Sequence, residues 1–391
     1  MKKGRVLSIF ALLICCIFAF SGCGMFGSAS SISTGGNSQY VSQYQENQPI
    51  IVEEGSSAAE IAQKYIDVSF TVLIYQVTEV NGGSSKSMEL SSYGSGFVVH
   101  TGGFILTNYH VIEDVLADPV SYGATKVYYE CYVSQDGGET YYPAEILWEN
   151  SVFDMAIIIC EEFASFPAAK LKDRTIYCSD EERIGLLEQV ITVGNQKSYH
   201  ASATIGNISS TILRVATSET NVYEHLIQHN ASINHGNSGG ALIDMDGNVI
   251  GLNTLGDDDA NSLFFAVSIY PAIAVLDKVV ENYYATGSKT EEIVLGFTGT
   301  DSVLDSMSQT SVGFEGEGLY VTGVESSCLI SGLKVGDVIV EVKIQTSDGT
   351  ETFEVWDNNS FRYARLNLLY AQNATFKVNR GGNIVELAII N

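Results

Sequence analysis

Between residues 68 and 268 the chain alternates short apolar or period-two runs with glycine-rich turns. The runs fall at 68–80, 94–100, 103–109, 125–134, 142–149, 155–160, 188–194, 202–214, 224–233, 240–245, 248–254 and 262–268. Side chains in a strand point alternately to opposite faces, so runs of this length predict about a dozen short antiparallel strands. A stretch of about 210 residues suits two packed β-barrels acting as one unit. Helical spacing flanks this β region, and with the helix before it the unit spans 58–268. Ser57 and Glu60 stand at capping-box spacing and predict a helix from Ala58 to Tyr65. Pro271 opens a second helix within the linker 269–291, with Ile273, Leu276, Val279 and Val280 as its apolar stripe and Gly287 beyond its end. The remaining residues, 292–391, are enough for one small domain.

The first residues are of another kind. Lys2, Lys3 and Arg5 precede an apolar stretch from Val6 to Phe20, too short for a transmembrane helix, and Phe20-Ser21-Gly22-Cys23 follows. This resembles a bacterial lipoprotein signal covering 1–22, which implies a lipidated Cys23 and an anchor on the extracytoplasmic face of the cell membrane. An uncleaved signal anchor is the alternative. From Gly24 to about Ser57 the chain is rich in Ser, Gly, Asn and Gln with little to bury, so 23–57 reads as a flexible tether.

Charge narrows the partners. The net charge of −26 becomes −29 when residues 1–22, with three cations and no acid, are removed. A surface so acidic disfavours nucleic acid and anionic lipid. Beyond Cys23 the cysteines are Cys131, Cys160, Cys178 and Cys328, whose scatter suggests no disulfide framework; Cys131 and Cys160 are buried thiols or a bridge. There is no H-E-x-x-H and no paired C-x-x-C, and Asp244-Met245-Asp246-Gly247-Asn248 reads as a hairpin turn rather than a calcium loop. Neither metal nor cofactor is called for.

The chemistry centres on Asn234-His235-Gly236-Asn237-Ser238-Gly239-Gly240. A serine between glycines can sit on a tight turn, with Gly236 turning N–H groups toward one point and Gly239 and Gly240 letting a substrate approach without a Cβ in the way. The same residues could form a plain hairpin loop, so the partners decide. Serine needs a histidine to take its proton and a carboxylate to orient that histidine. Of six histidines, His110 stands at the end of the apolar strand Phe104 to Thr107, and Asp154 directly precedes the buried run Met155 to Cys160. His235 reads as loop surface, and His100, His200, His225 and His229 read as ordinary strand or surface residues.

His110, Asp154 and Ser238 follow the chymotrypsin order of base, acid and nucleophile. With Gly94-Ser95-Gly96-Phe97-Val98-Val99, Thr107-Asn108-Tyr109-His110, Asp154-Met155-Ala156 and Gly236-Asn237-Ser238-Gly239-Gly240 together, the chain resembles the HtrA (Deg) branch of trypsin-like serine proteases. The resemblance implies a chymotrypsin-like double β-barrel with His110, Asp154 and Ser238 catalytic, and backbone N–H groups of Gly236 and Ser238 as oxyanion hole. It also implies Ser232 at the base of the pocket for the residue before the cut, and Asn253, Thr254 and Leu255 as a strand edge for the substrate backbone. Residues 292–391 resemble the PDZ domain that follows the protease domain in this family, an α+β fold in which Leu295, Gly296 and Phe297 would hold a peptide's C-terminal carboxylate. The match weakens from Lys343 to Phe361, and a groove helix is suggested over Phe361 to Tyr370. The substrates so implied are unfolded or misfolded polypeptides, and the implied assembly is a homotrimer. A catalytically silent peptide-binding or holdase lipoprotein is the rival reading.

Overall fold

The computed structural model describes residues 46–175, 182–196, 200–216, 222–234, 236–256, 263–301, 318–347 and 349–389. The signal with Cys23, the tether up to residue 45, Cys178 and His235 lie outside them, as do the side chains of His200 and His225. The first strands are β1 (Ser69–Val80), β2 (Ser85–His100), β3 (Phe104–Thr107), β4 (Val120–Tyr122), β5 (Thr125–Ser134), β6 (Tyr142–Asn150) and β7 (Met155–Ile159). Their sheet runs β1-β2-β3-β7-β6-β5-β4, and pairing of β1 with β5 closes it. A second set comprises β8 (Gln189–Gln196), β9 (His200–Ala216), β10 (Val222–His229), β11 (Ala241–Asp244), β12 (Val249–Gly256) and β13 (Phe264–Ser268). It forms a closed barrel in the order β10-β13-β12-β11-β8-β9. Closure leaves few unpaired edges, and the alternating runs put Phe97, Leu106, Ile157, Leu242 and Leu252 inside.

Helix α1 (Ala58–Ile66) carries the expected capping box: the Ser57 hydroxyl accepts from the Glu60 N–H at 3.3 Å and the Glu60 carboxylate from the Ser57 N–H at 2.7 Å. Its Tyr65 is fully buried and donates to the Gly247 carbonyl at 2.6 Å, tying the helix to the second barrel. Order begins before Ser57, inside the stretch expected to be tether. The Ile50 N–H donates to the Ala168 carbonyl at 2.7 Å, the Ala168 N–H to the Gln48 carbonyl at 2.8 Å, and Ile50 is buried. Composition hid this because the pairing is main-chain, which polar residues make as well as apolar ones.

Strand β2 starts nine residues earlier than its apolar run at 94, since Ser85 to Tyr93 pair with β1 on a hairpin whose faces are largely exposed. A hydroxyl-rich strand of that kind has no apolar alternation to reveal it. The three exposed residues of β4 were invisible for the same reason. Cys131 and Cys160 are both buried free thiols, not a bridge, and burial pushes them up to about 12 and about 11 respectively. In the turn after β11 the Asp244 carboxylate accepts the N–H groups of Asp246 at 3.0 Å and Asn248 at 2.8 Å, while Arg174 pairs with its other oxygen at 3.3 Å. The turn thus uses its own acid as a cap.

After the one-turn helix α2 (Tyr109–Ile112), described with the site below, come α3 (Tyr270–Thr286) and the C-terminal segment. Helix α3 has Pro271 in its first turn and ends on Gly287 in the left-handed region at φ 65°. Its buried stripe is Ala272, Val275, Leu276 and Val279; Ile273, expected in the stripe, is exposed. The C-terminal strands are β14 (Phe297–Asp301), β15 (Leu319–Val324), β16 (Val338–Gln345), β17 (Thr350–Glu354), β18 (Asn373–Arg380) and β19 (Asn383–Ala388). They form a sheet in the order β14-β15-β16-β18-β19 with β17 on β16. Helix α4 (Asn358–Asn367) is capped by Asp357 and Ser360 and starts three residues before the apolar residue Phe361 that suggested it.

The C-terminal segment has its own core, including Leu319, Val342, Phe353 and Phe376. Helix α4, however, is two-faced. Phe361 and Ala364, with Leu368 just past its end, enter that core, whereas Tyr363 and Leu366 enter the core of the barrels, so the two apolar patterns are not independent.

His229, at the end of β10, is fully buried, and burial pushes its imidazole down to about 4. An unfolded chain, with histidine near 6.5, binds the extra proton first as pH falls. The stability this neutral histidine allows is therefore present above about 6.5 and is lost as pH falls toward 4, by up to about 3 kcal/mol. Urea unfolding at stepped pH checks this: His229→Gln should show a shallower loss of stability between pH 6.5 and 4 than the unaltered chain.

Candidate active site

Strand β3 ends at Thr107, and Asn108 leads into α2 (Tyr109–Ile112), which carries His110 just past the strand end. Asn108 is buried, and its side-chain amide donates to the Asp154 carbonyl at 2.8 Å, so the segments of His110 and Asp154 are fastened by more than their own side chains. Asp154 closes the β6–β7 hairpin at φ 52°, in the left-handed region that non-glycine residues rarely occupy. Asp is among the residues that tolerate it, at a cost of about 1 kcal/mol.

The Asp154 carboxylate is surrounded by donors. Its oxygens both lie 3.0 Å from His110 Nδ1, one accepts the His110 N–H at 3.0 Å, and the other accepts the Thr254 hydroxyl at 2.5 Å. Nδ1 must carry the proton to donate to a carboxylate, which leaves Nε2 as the acceptor nitrogen. Burial pulls the His110 pKa down, but the hydrogen bond and charge of Asp154, with the charge of Glu113, outweigh it and leave it raised above 6.5. Thr254 reaches Asp154 because the β12–β13 register shifts between Asn253 and Leu255, a bulge that re-aims the residue between them.

The Ser238 loop is folded by glycine, though for a different reason from the one expected. Gly236 and Gly239 have φ 96° and 86°, and a Cβ on Gly239 would run into the Ser95 carbonyl, one on Gly240 into the Val193 carbonyl. These glycines let the loop pack onto the strands behind it rather than clear a path for substrate. Ser95 holds that packing: its N–H donates to the Ser238 carbonyl at 2.7 Å and its hydroxyl to the Gly236 carbonyl at 2.6 Å. The same hydroxyl accepts the Asn195 N–H at 2.8 Å, and the Ser95 carbonyl accepts the Thr107 hydroxyl at 2.7 Å. No described acceptor takes the N–H groups of Gly236 or Ser238. The Ser238 hydroxyl itself donates to the Thr254 carbonyl at 3.2 Å.

Three other expected positions fare differently. Asn253 cannot offer its backbone to a substrate: its N–H donates to the Gly240 carbonyl and its carbonyl accepts the Gly239 N–H, both at 2.9 Å. It is an interior strand residue, since β12 lies between β11 and β13. Ser232 is exposed, not sunk at a closed pocket's base, and its carbonyl accepts the Thr204 hydroxyl at 2.8 Å. Leu255 lies opposite Phe265 in β13. In the C-terminal segment Leu295 is buried and Gly296 has φ 74°, with the Leu295 and Gly296 carbonyls accepting the N–H groups of Leu329 and Glu325 at 3.0 and 2.9 Å. Strand β14 is the sheet's edge, and Phe297 meets Phe361 of α4 edge-on at 5.5 Å.

Sequence reading gave Ser95, Thr107, Asn195 and Thr254 no part in holding the site. A small hydroxyl or amide residue in an otherwise apolar strand was the available signal.

Residues 94–252 match the model of the trypsin-like peptidase domain. The chain is 27% identical over 275 residues to the serine endoprotease DegS of Salmonella typhimurium, covering 67% of this chain and 68% of that one. It is 27% identical over 324 residues to the serine protease Do-like HtrA of Lactobacillus helveticus, covering 79% and 71%. It is also 28% identical over 273 residues to a probable periplasmic serine protease do/HhoA-like of Haemophilus influenzae, spanning 68% of this chain but only 53% of that relative. In fold it is similar to the HtrA-type protease AlgW solved with a decapeptide, at a TM-score of 0.55 and 22% identity, over 86% of this chain and 98% of that one. Among the described residues no helix is long and apolar enough to cross a membrane. With its double barrel and its matched peptidase domain, the chain is a trypsin-like serine protease, similar to serine endoproteases of the HtrA/Deg type.

Proposed function

We propose that the protein is an extracytoplasmic, lipid-anchored endopeptidase that cleaves unfolded or damaged polypeptides through Ser238, His110 and Asp154. The observation that carries this reading is the Asp154 carboxylate, which holds the His110 imidazole by Nδ1 and leaves Nε2 as the acceptor nitrogen, while Thr254 bonds that carboxylate by its hydroxyl and the Ser238 hydroxyl by its carbonyl. Ser238 must first turn away from the Thr254 carbonyl, a movement about one side-chain torsion. Its hydroxyl then gives its proton to His110 Nε2 as the oxygen attacks the scissile carbonyl, and the oxyanion is taken by the Gly236 and Ser238 N–H groups. His110 passes the proton to the leaving amine, which departs as the C–N bond breaks and leaves an acyl ester on Ser238. Water, deprotonated by the same imidazole, hydrolyses that ester and regenerates the serine.

The turn of Ser238 has a second use. It frees the Thr254 carbonyl to accept an N–H from the substrate backbone, so the substrate edge is Thr254 and Leu255 rather than the barrel-locked Asn253. Ser232, neutral and exposed, gives no anionic site for a lysine or arginine side chain, which supports small or medium apolar residues before the cut. In the C-terminal domain a peptide would add as a strand on the β14 edge beside α4, its carboxylate on the amides of Leu295, Gly296 and Phe297. Cys23 would carry the lipid, with the remaining tether holding the barrels off the membrane.

Replacing Ser238 by Ala should abolish fluorophosphonate labelling and reduce hydrolysis of a denatured protein by about 10⁴-fold or more, since a triad acts as a unit. Undiminished hydrolysis would end the serine-protease reading and favour the holdase. In the unaltered chain labelling should fall as pH drops, because a charged imidazole cannot accept the serine proton. Its midpoint should lie above 6.5, in keeping with the raised His110 pKa. A profile flat from about pH 5 to 8 contradicts this. For the C-terminal domain, calorimetry with an apolar-ended peptide should show binding that is lost when the same peptide is amidated; equal binding of both would mean no carboxylate is read.

A further inference from the structure

The hairpin turn that carries Asp154 is held from two sides, and one of them belongs to the C-terminal domain. Asn150, at the end of β6, is buried, and its side-chain oxygen accepts the N–H groups of Val152 at 2.9 Å and Phe153 at 3.0 Å. Its side-chain nitrogen donates to one Glu292 oxygen at 2.5 Å, and the other Glu292 oxygen accepts from Arg365 of α4 at 2.7 Å. The amide orientation follows from these partners, since only the nitrogen can donate to a carboxylate. Phe153, next to Asp154, packs its ring on Tyr363 of α4 at 4.8 Å. The chain leading to Glu292 is strapped along β6 by the Thr290 N–H on the Leu147 carbonyl and by Lys289 on Glu149, both at 2.7 Å.

The left-handed backbone of Asp154 costs about 1 kcal/mol, so the turn needs support from outside its own sequence to stay there. Two fixed N–H groups and an anchored ring leave the preceding residues one arrangement. We propose that Glu292, held by Arg365, is a positioning residue for Asp154, acting through Asn150 to fix the turn that presents the carboxylate to His110. The C-terminal helix therefore completes the support of the acid while touching none of the reacting atoms. This rests on the catalytic reading of Asp154 given above.

The charged groups acting on His110 are Asp154 from the hairpin turn and Glu113 just beyond α2, and the uncharged Thr254 of the second barrel bonds the Asp154 carboxylate. A displaced Asp154 gives less support to the charged imidazole, so burial gains weight and the midpoint of the pH profile moves down.

The test follows fluorophosphonate labelling of the full-length chain against pH. Glu292→Ala should label about tenfold more slowly at neutral pH, the loss expected when a hydrogen bond to a charged group is removed, with its midpoint below that of the unaltered chain. Arg365→Ala, which leaves Glu292 in place but unheld, should shift both readouts in the same direction, and Arg365→Lys should restore part of the loss. A slower rate with an unmoved midpoint would mean only that fewer molecules are folded, and would overturn the proposal. So would wild-type rate and midpoint in both alanine variants while Asp154→Asn is slow. If Asp154→Asn itself labels at the wild-type rate, the catalytic reading of Asp154 fails instead.

Discussion

Ser95 joins the parts of this molecule that have to agree for any chemistry to occur. Its main chain belongs to β2 of the first barrel, its hydroxyl accepts from Asn195 of the second, and its N–H and hydroxyl hold the Ser238 and Gly236 carbonyls. A buried hydroxyl without partners would cost on the order of 1–3 kcal/mol. Here both of its functions are used, so it fixes the distance between barrels and the pose of the serine loop at once. The loop can approach so closely only because Gly239 has no Cβ to meet the Ser95 carbonyl. In a trans peptide the next N–H points away from the carbonyl, so with the Gly236 and Ser238 carbonyls on Ser95 the N–H groups of Asn237 and Gly239 go to the Asn234 and Asn253 carbonyls.

The electrostatics rest on that scaffold. A buried carboxylate is costly unless its lone pairs are taken, and the donors to Asp154 are a main-chain N–H, an imidazole and a hydroxyl brought by a bulge in the second barrel. Acid and base come from the first barrel and their fixing hydroxyl from the second, so the charged pair exists only where the barrels meet. The strain at Asp154 is the local cost of aiming its carboxylate, and the surrounding bonds hold it there.

The C-terminal domain is not an appendage hung on α3. Tyr363 and Leu366 lie in the core of the barrels while their neighbours Phe361 and Ala364 lie in the core of their own domain. A helix that is apolar on two faces must be covered on both, so separating the domains would expose one of them. The same helix borders the β14 edge, where Phe297 meets Phe361.

Much of the fold was legible because strands with one buried face must alternate, and the barrel runs from 68 to 268 match the observed strands within a few residues, apart from the first half of β2 and the short β4. The serine, histidine and aspartate segments were legible too, since their flanking glycines and apolar strands are local signals. What depends on partners far along the chain was not. The polar half of β2 and the ordered residues from Gln48 pair through main-chain groups that any side chain allows. The role of Ser95 and the contact of Thr254 follow from the meeting of the barrels, which brings residues a hundred positions apart together, and the interior place of Asn253 follows from the strands on either side of β12. The sequence determined which groups could act; only the closed barrels and the docked helix decided which oxygens face the imidazole, because hydrogen-bond geometry is set by the relative placement of elements that no local pattern encodes.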